Sequence, residues 1–233
     1  MTVNSNVQYQ SPVIGLDVDR RALFITRTYT HLLGAILAFA VLEMYLFTLD
    51  SARSIAAALS GNWLLVLGGF MIISWLTSRV VHSVQSPAAQ YAALGVFIVA
   101  EALIFMPMLM AAQTIAPGVI ESAAMVTLLG FAGLTAIAFY TRKDFSFLNG
   151  ILGWGMIIAL VLIVASLIFG FNLGTFFSVA MIGLAGGSIL RDTSNVLLNY
   201  SEDRYIAAAL QLFASVALMF WYVLRLFMAF SRD

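Results

Sequence analysis

Polar side chains recur at helical spacing inside stretches of this sequence that are otherwise apolar, and they are its candidates for chemistry. Ser188, Asp192, Asn195 and Asn199 fall along one stripe of a helix. Oxygen ligands of this kind suit a hard cation, which makes Asp192 a candidate Ca²⁺ contact with Asn195 beside it. The bland reading of the same stripe is a helix end rising into lipid headgroups with Arg191 as its partner. Gln211, Ser215, Tyr222 and Arg225 form a second stripe, for which hydrogen bonding between helices is the simple account. Glu101 stands near the middle of a third apolar segment, where a charge costs at least about 2.5 kcal/mol, so it is either a hydrogen-bonded structural carboxyl or part of a proton or cation path. Arg79 can snorkel to the headgroups or form an ion pair. Glu43 and Asp50 sit near a helix end where partial hydration suffices to explain them. His31 and His82 lack the spacing of a metal pair, and no hydrolase, zinc-protease or phosphate-loop motif occurs. No catalytic residues and no resident cofactor are expected, apart from Ca²⁺ as a bound or transported ion.

The elements that must position these groups are membrane helices. Only 9% of the 233 residues are charged and 62% are hydrophobic, a composition that cannot clothe a water-soluble surface. A spanning helix needs about 20 apolar residues, and seven such stretches follow one another: Phe24 to Thr48, Trp63 to Val81, Ala88 to Ala111, Gly118 to Tyr140, Leu148 to Gly170, Gly174 to Leu198 and Tyr205 to Phe230. Turn-forming residues separate them at Leu49 to Arg53, Ser86-Pro87, Ala116-Pro117-Gly118 and Gly170 to Gly174. The reading is an all-α integral membrane protein: residues 1–22 form a polar cytoplasmic tail and residues 23–233 a single domain of seven transmembrane helices. The tail has no signal-peptide pattern. Eleven basic and eleven acidic residues balance, so nothing proposes nucleic acid, and the absence of cysteine excludes disulfides and thiolate chemistry.

Cytoplasmic loops collect Lys and Arg. Arg20, Arg21, Arg27, Arg79, Arg142, Lys143, Arg191 and Arg204 all fall at one side of the seven-span scheme, which places the N-terminus in the cytoplasm of a cell inner (plasma) membrane; Arg53, Arg225 and Arg232 fall on the other. In the sixth span, Gly183 and Gly187 form a Gly-x-x-x-Gly pattern expected to pack closely against another helix.

The segment Thr141-Arg142-Lys143-Asp144-Phe145-Ser146-Phe147-Leu148 resembles the Bax inhibitor-1 family, also called the transmembrane Bax inhibitor motif family, in its bacterial branch. Glu101 to Pro107, Ile189-Leu190-Arg191-Asp192 and Ala209 to Phe213 extend the resemblance over spans two to seven. It implies a seven-helix bundle with the last helix central, surrounded by the other six. It also implies a pH-sensitive calcium leak in which two aspartates, on helices six and seven, share a proton while an arginine of helix two holds the pore closed. Asp192 and Arg79 match two of those positions; Ser215 stands where the second aspartate belongs, and Glu101 is the candidate replacement. The leading expectation is therefore a passive Ca²⁺ leak or permeability regulator with Asp192 at the gate, Glu101 on the path and Arg79 as latch. The alternative is a non-conducting regulator that binds a membrane-anchored protease through the tail Met1 to Asp19, as some bacterial relatives do. A proton-coupled transporter is disfavoured because internal repeats are missing.

Overall fold

The computed structural model describes residues 12–231, which leaves tail residues 1–11 and the final Arg232 and Asp233 outside the described residues. It contains eight α-helices among them: α1 (Val18–Phe47), α2 (Ala52–Gly61), α3 (Trp63–Ser83), α4 (Pro87–Ile115), α5 (Val119–Thr141), α6 (Leu148–Phe169), α7 (Gly174–Leu198) and α8 (Tyr205–Phe230). All except α2 are long and apolar enough to span a bilayer. The chain is an all-α membrane bundle of seven spanning helices.

The largest departures from the sequence reading are two, and the third span also runs four residues further, to Ile115. The first span starts six residues earlier, at Val18, because the Asp17 side chain accepts a hydrogen bond from the Arg20 backbone N–H at 2.9 Å and caps the helix. The segment after Leu49 folds into α2. That helix is too short to span; its Ala52 and Ala56 pack on Met106 of α4. The remaining breaks fall where expected. Gly118 precedes α5 with φ +85° and Gly170 follows α6 with φ +72°, left-handed conformations that favour glycine.

The α8 helix is the axis of the bundle. In its most apolar stretch 72% of residues are buried, and 61% in α4, against 11–22% in the other five spans, whose outer faces are for lipid. The expectation that the last helix is enclosed by all six others needs one amendment: α1, α3, α4, α5 and α7 pack on α8, while α6 packs chiefly on α7. Aromatic pairs fix the depth of α4 on α8, with Phe97 edge-to-face against Phe213 (6.0 Å) and Phe105 stacked on Phe220 (5.5 Å).

Close approach of α6 and α7 is reciprocal. Leu184 of α7 lies over Gly155 of α6, where a Cβ would meet Leu184 Cδ2 at 2.6 Å, and Leu152 of α6 lies over Gly187, where a Cβ would meet its Cδ2 at 3.0 Å. Gly187 therefore packs as expected but Gly183 does not; a Cβ there would find open space. The row that meets α6 is Leu184 and Gly187, three residues apart, and Gly183 falls beside it. Glu43 also departs from its expected hydration: it is 5% exposed and neither carboxylate oxygen has a hydrogen-bond partner.

Candidate functional site

Seven alternating spans bring the N-terminal ends of α1, α4, α6 and α8 together with the C-terminal ends of α3, α5 and α7. This end holds Arg20, Arg79, Arg142, Lys143, Arg191 and Arg204, and is called the basic end below. Asp192 lies seven residues before the α7 cap Asn199, about 10 Å into the bundle at 1.5 Å per residue. Side chains on a helix tilt toward its N-terminus. Because α7 and α8 are antiparallel, Asp192 leans inward while side chains of α8 lean back toward it, and the two stripes read from the sequence meet.

The meeting is a closed polar cluster. Asp192 is 2% exposed. Its Oδ2 accepts a hydrogen bond from Ser215 Oγ at 2.6 Å, and its Oδ1 accepts from Gln211 Nε2 at 2.9 Å and from Arg191 Nε at 2.8 Å. The same guanidinium makes an ion pair with Asp192 through Nη2 and reaches Asn149 of α6 through Nη1 at 3.3 Å. Tyr200, in the turn between α7 and α8, donates its hydroxyl to Gln211 Oε1 at 2.5 Å, and His82 of α3 lies 3.4 Å from that hydroxyl. Burial and then the Asp192 charge push the Tyr200 phenol up, so Tyr200 stays a donor and its bond to Gln211 holds the amide with Nε2 toward Asp192.

The turn itself is tied down from two directions. Arg204 donates to the carbonyls of Val81 (3.0 Å) and Val84 (3.1 Å) at the end of α3, where the Val84 carbonyl also accepts from Gln90 Nε2 at 2.9 Å. The segment before α1 crosses the turn: Val13 N–H donates to the Tyr200 carbonyl at 2.8 Å, Pro12 and Ser201 form an antiparallel bridge, and Arg20 pairs with Glu202. A further anchor is Ser194, whose hydroxyl donates to the Lys143 carbonyl (3.0 Å) and accepts from Phe145 N–H (3.1 Å). The Lys143–Phe147 loop is thereby docked on α7.

Several expected site residues stand elsewhere. Arg79 is exposed on α3 and lies over the Trp75 ring at 5.4 Å, away from the buried positions Thr77 and Val81; the arginine beside Asp192 is Arg191, so a latch through Arg79 is not the geometry found. Asn195 accepts from Asn199 at 2.9 Å at the helix end and does not join the cluster. Asp192 is also a poor Ca²⁺ contact here, since its charge is opposed by a guanidinium and the ion takes six to eight oxygens. Among the described residues no three His, Cys, Asp or Glu side chains converge. Glu101 is 5% exposed and shares a helical stripe with Phe97 and Phe105, which places it level with Val216 and Ala217 of α8, just past Ser215. It makes no hydrogen bond to Asp192 and does not replace the second carboxylate within the cluster.

The sequence assigns no site role to Tyr200, Ser194 or Asn149, and Arg204 enters it only as one of the charges that orient the bundle. Tyr200 and Arg204 lie in a polar turn, and Ser194 is two positions from Asp192, off its stripe; the tyrosine among Asn199, Ser201 and Glu202 was the one available signal.

A family model described as "Inhibitor of apoptosis-promoting Bax1" matches residues 21–232. The chain is 28% identical over 227 residues to the "Modulator of FtsH protease YccA" of Escherichia coli strain K12, covering 95% of this chain and 99% of that protein. The "Inner membrane protein YccA" of Escherichia coli O6:H1 matches with the same figures. The "Uncharacterized protein PA2604" of Pseudomonas aeruginosa is 34% identical over 110 residues, 47% of this chain, so that the match spans about half (49%) of that relative's length.

Proposed function

The chain belongs to the Bax inhibitor-1 family, and on that premise we propose that it is a non-conducting inner-membrane protein that binds and modulates a membrane-anchored protease of the FtsH type. The observation that carries this reading is the state of Asp192. A carboxylate that pairs with Arg191 and also accepts from Gln211 and Ser215 presents no free negative charge to a cation; it clamps α7 to α8. End-to-end similarity to a protein named as a modulator of FtsH protease supports the same reading. The N-terminus is cytoplasmic, and the polar tail ahead of the Val13 anchor is the contact for the protease.

The test is reconstitution of the chain with Escherichia coli FtsH and a membrane-protein substrate in liposomes. Substrate turnover slows as the chain is titrated in, and removing residues 1–11 abolishes capture of the chain by the protease. Unchanged turnover together with no cross-link between the two would overturn the proposal.

A cation leak is the second reading, favoured by one observation: polar contacts run from His82 through Tyr200, Gln211 and Asp192 to Ser215, inward from the basic end, with the buried Glu101 just beyond. Ca²⁺ flux into liposomes that Asp192→Asn alters would support it, and flux equal to that of protein-free liposomes would dismiss it.

A further inference from the structure

At the end of the bundle opposite the basic end, α3, α4, α7 and α8 part around a cavity of about 590 Å³, within the ~300–1,000 Å³ range of ligand sites. Its polar lining includes Arg225, Ser178, Thr175 and Asn172, and its lining contains no acidic residue. Three features of that lining favour an anion. Arg225 is half-buried within two turns of the end of α8 and forms no ion pair among the described residues. Ser178 is 2% exposed yet its hydroxyl lines the cavity and makes no hydrogen bond among the described residues, although buried hydroxyls are ordinarily bonded. The first turn of α7, Gly174 and Thr175, opens into the same space with no side-chain cap on its free N–H groups. A guanidinium and the positive end of a helix dipole act with the same sign there, and a low-dielectric surrounding strengthens both.

We propose that this cavity binds a phosphate oxyanion. Donor-bearing residues line the cavity from α7, from α8 and from the α6–α7 turn, a phosphate has acceptor oxygens enough to meet several of them, and arginine pairs with phosphate through two parallel N–H groups. The stacked indoles of Trp63 and Trp221, 5.7 Å apart, wall the cavity with the amphipathic rings that favour the membrane interface. The phosphate has two sources, the phosphodiester of a phospholipid headgroup or free phosphate. The proposal is independent of the protease reading.

The full chain, stripped of lipid in neutral detergent, is titrated with phosphatidylglycerol, with diacylglycerol as the phosphate-free control, and separately with inorganic phosphate against chloride at equal ionic strength; the unfolding midpoint is followed. Phosphatidylglycerol raises the midpoint and diacylglycerol does not, and Arg225→Gln weakens the effect about tenfold or more, as loss of a charge-assisted fork requires. Ser178→Ala weakens it less, and Arg53→Gln, exposed on α2, leaves it unchanged. If inorganic phosphate alone gives the Arg225-dependent shift, the source is the free ion and the site stands. Should Arg225→Gln fail to fold, Arg225→Lys retains the charge without the fork and still weakens binding. Binding of neither probe, or binding indifferent to both Arg225 and Ser178 variants, would overturn the proposal.

Discussion

The two ends of the α7–α8 pair solve the same problem in opposite ways. At the basic end, Asp192, Gln211, Ser215 and Tyr200 satisfy one another inside the bundle, and Arg191 balances the charge at the site. At the far end, the start of α7 and the last turns of α8 leave Arg225, Ser178 and uncapped N–H groups around open space. Polar groups withdrawn from water need partners, so an end that supplies its own is a structural clamp, while the other end keeps donors free to meet the phosphate proposed for it. The same contrast separates the two functional readings: a clamp suits a scaffold that acts through another protein, whereas a cation path would need the clamp to open.

Breaking the closed end has the largest expected effect. Asp192→Ala strands the Arg191 guanidinium, the Gln211 amide and the Ser215 hydroxyl together, and the unfolding midpoint in detergent falls by an amount corresponding to about 3–5 kcal/mol, the usual consequence of removing one partner of a buried ion pair. Asp192→Asn, which keeps the shape and an acceptor, loses less. The wall beside the cluster is next. Gly155→Val drives a side chain into Leu184 and destabilises by about 1–3 kcal/mol through overpacking, while Gly183→Ala, facing open space, leaves the midpoint in place. Gln211→Leu removes the link between Tyr200 and Asp192 at about 1–2 kcal/mol, read from the same unfolding curves, because two buried groups each lose a partner. The smallest effect belongs to Glu202→Gln. Its pair with Arg20 is exposed on both sides, and no shift of the midpoint is expected even though it belongs to the strap over the turn.

Much of this architecture was legible in the sequence. Seven spans and their breaks follow from the length of apolar stretches and from Pro, Gly and Asn between them, since lipid demands both. The short helix α2 was not legible, because ten residues are too few to carry a spanning signal and are held by Met106 of α4, a contact that only the fold creates. Helical spacing did place Asp192 on one stripe and Gln211 with Ser215 on another, and the resemblance set Ser215 opposite Asp192. The resemblance gives the latch to Arg79, whereas the guanidinium on Asp192 is that of Arg191, the partner named in the bland reading of the stripe, buried with it rather than solvated at a helix end. Tyr200 was missed for a related reason: turn residues have no periodicity to announce which way they face. The far cavity had no sequence signature at all, being assembled from residues of α2, α3, α4, α7, α8 and the α6–α7 turn.

The contrast between a sealed and an open end can be measured directly, because the chain contains no cysteine and single replacements report unambiguously. In sealed membrane vesicles and in detergent, Ser215→Cys and Thr175→Cys are challenged with a membrane-impermeant maleimide under conditions that leave the fold intact. The cysteine at 175 should react readily from its side of the membrane, while the one at 215 should stay protected from both sides until the protein is unfolded. Ready labelling at position 215 in the folded protein, at a rate matching position 175, would contradict the closed clamp and return the Asp192 cluster to the list of water-filled paths.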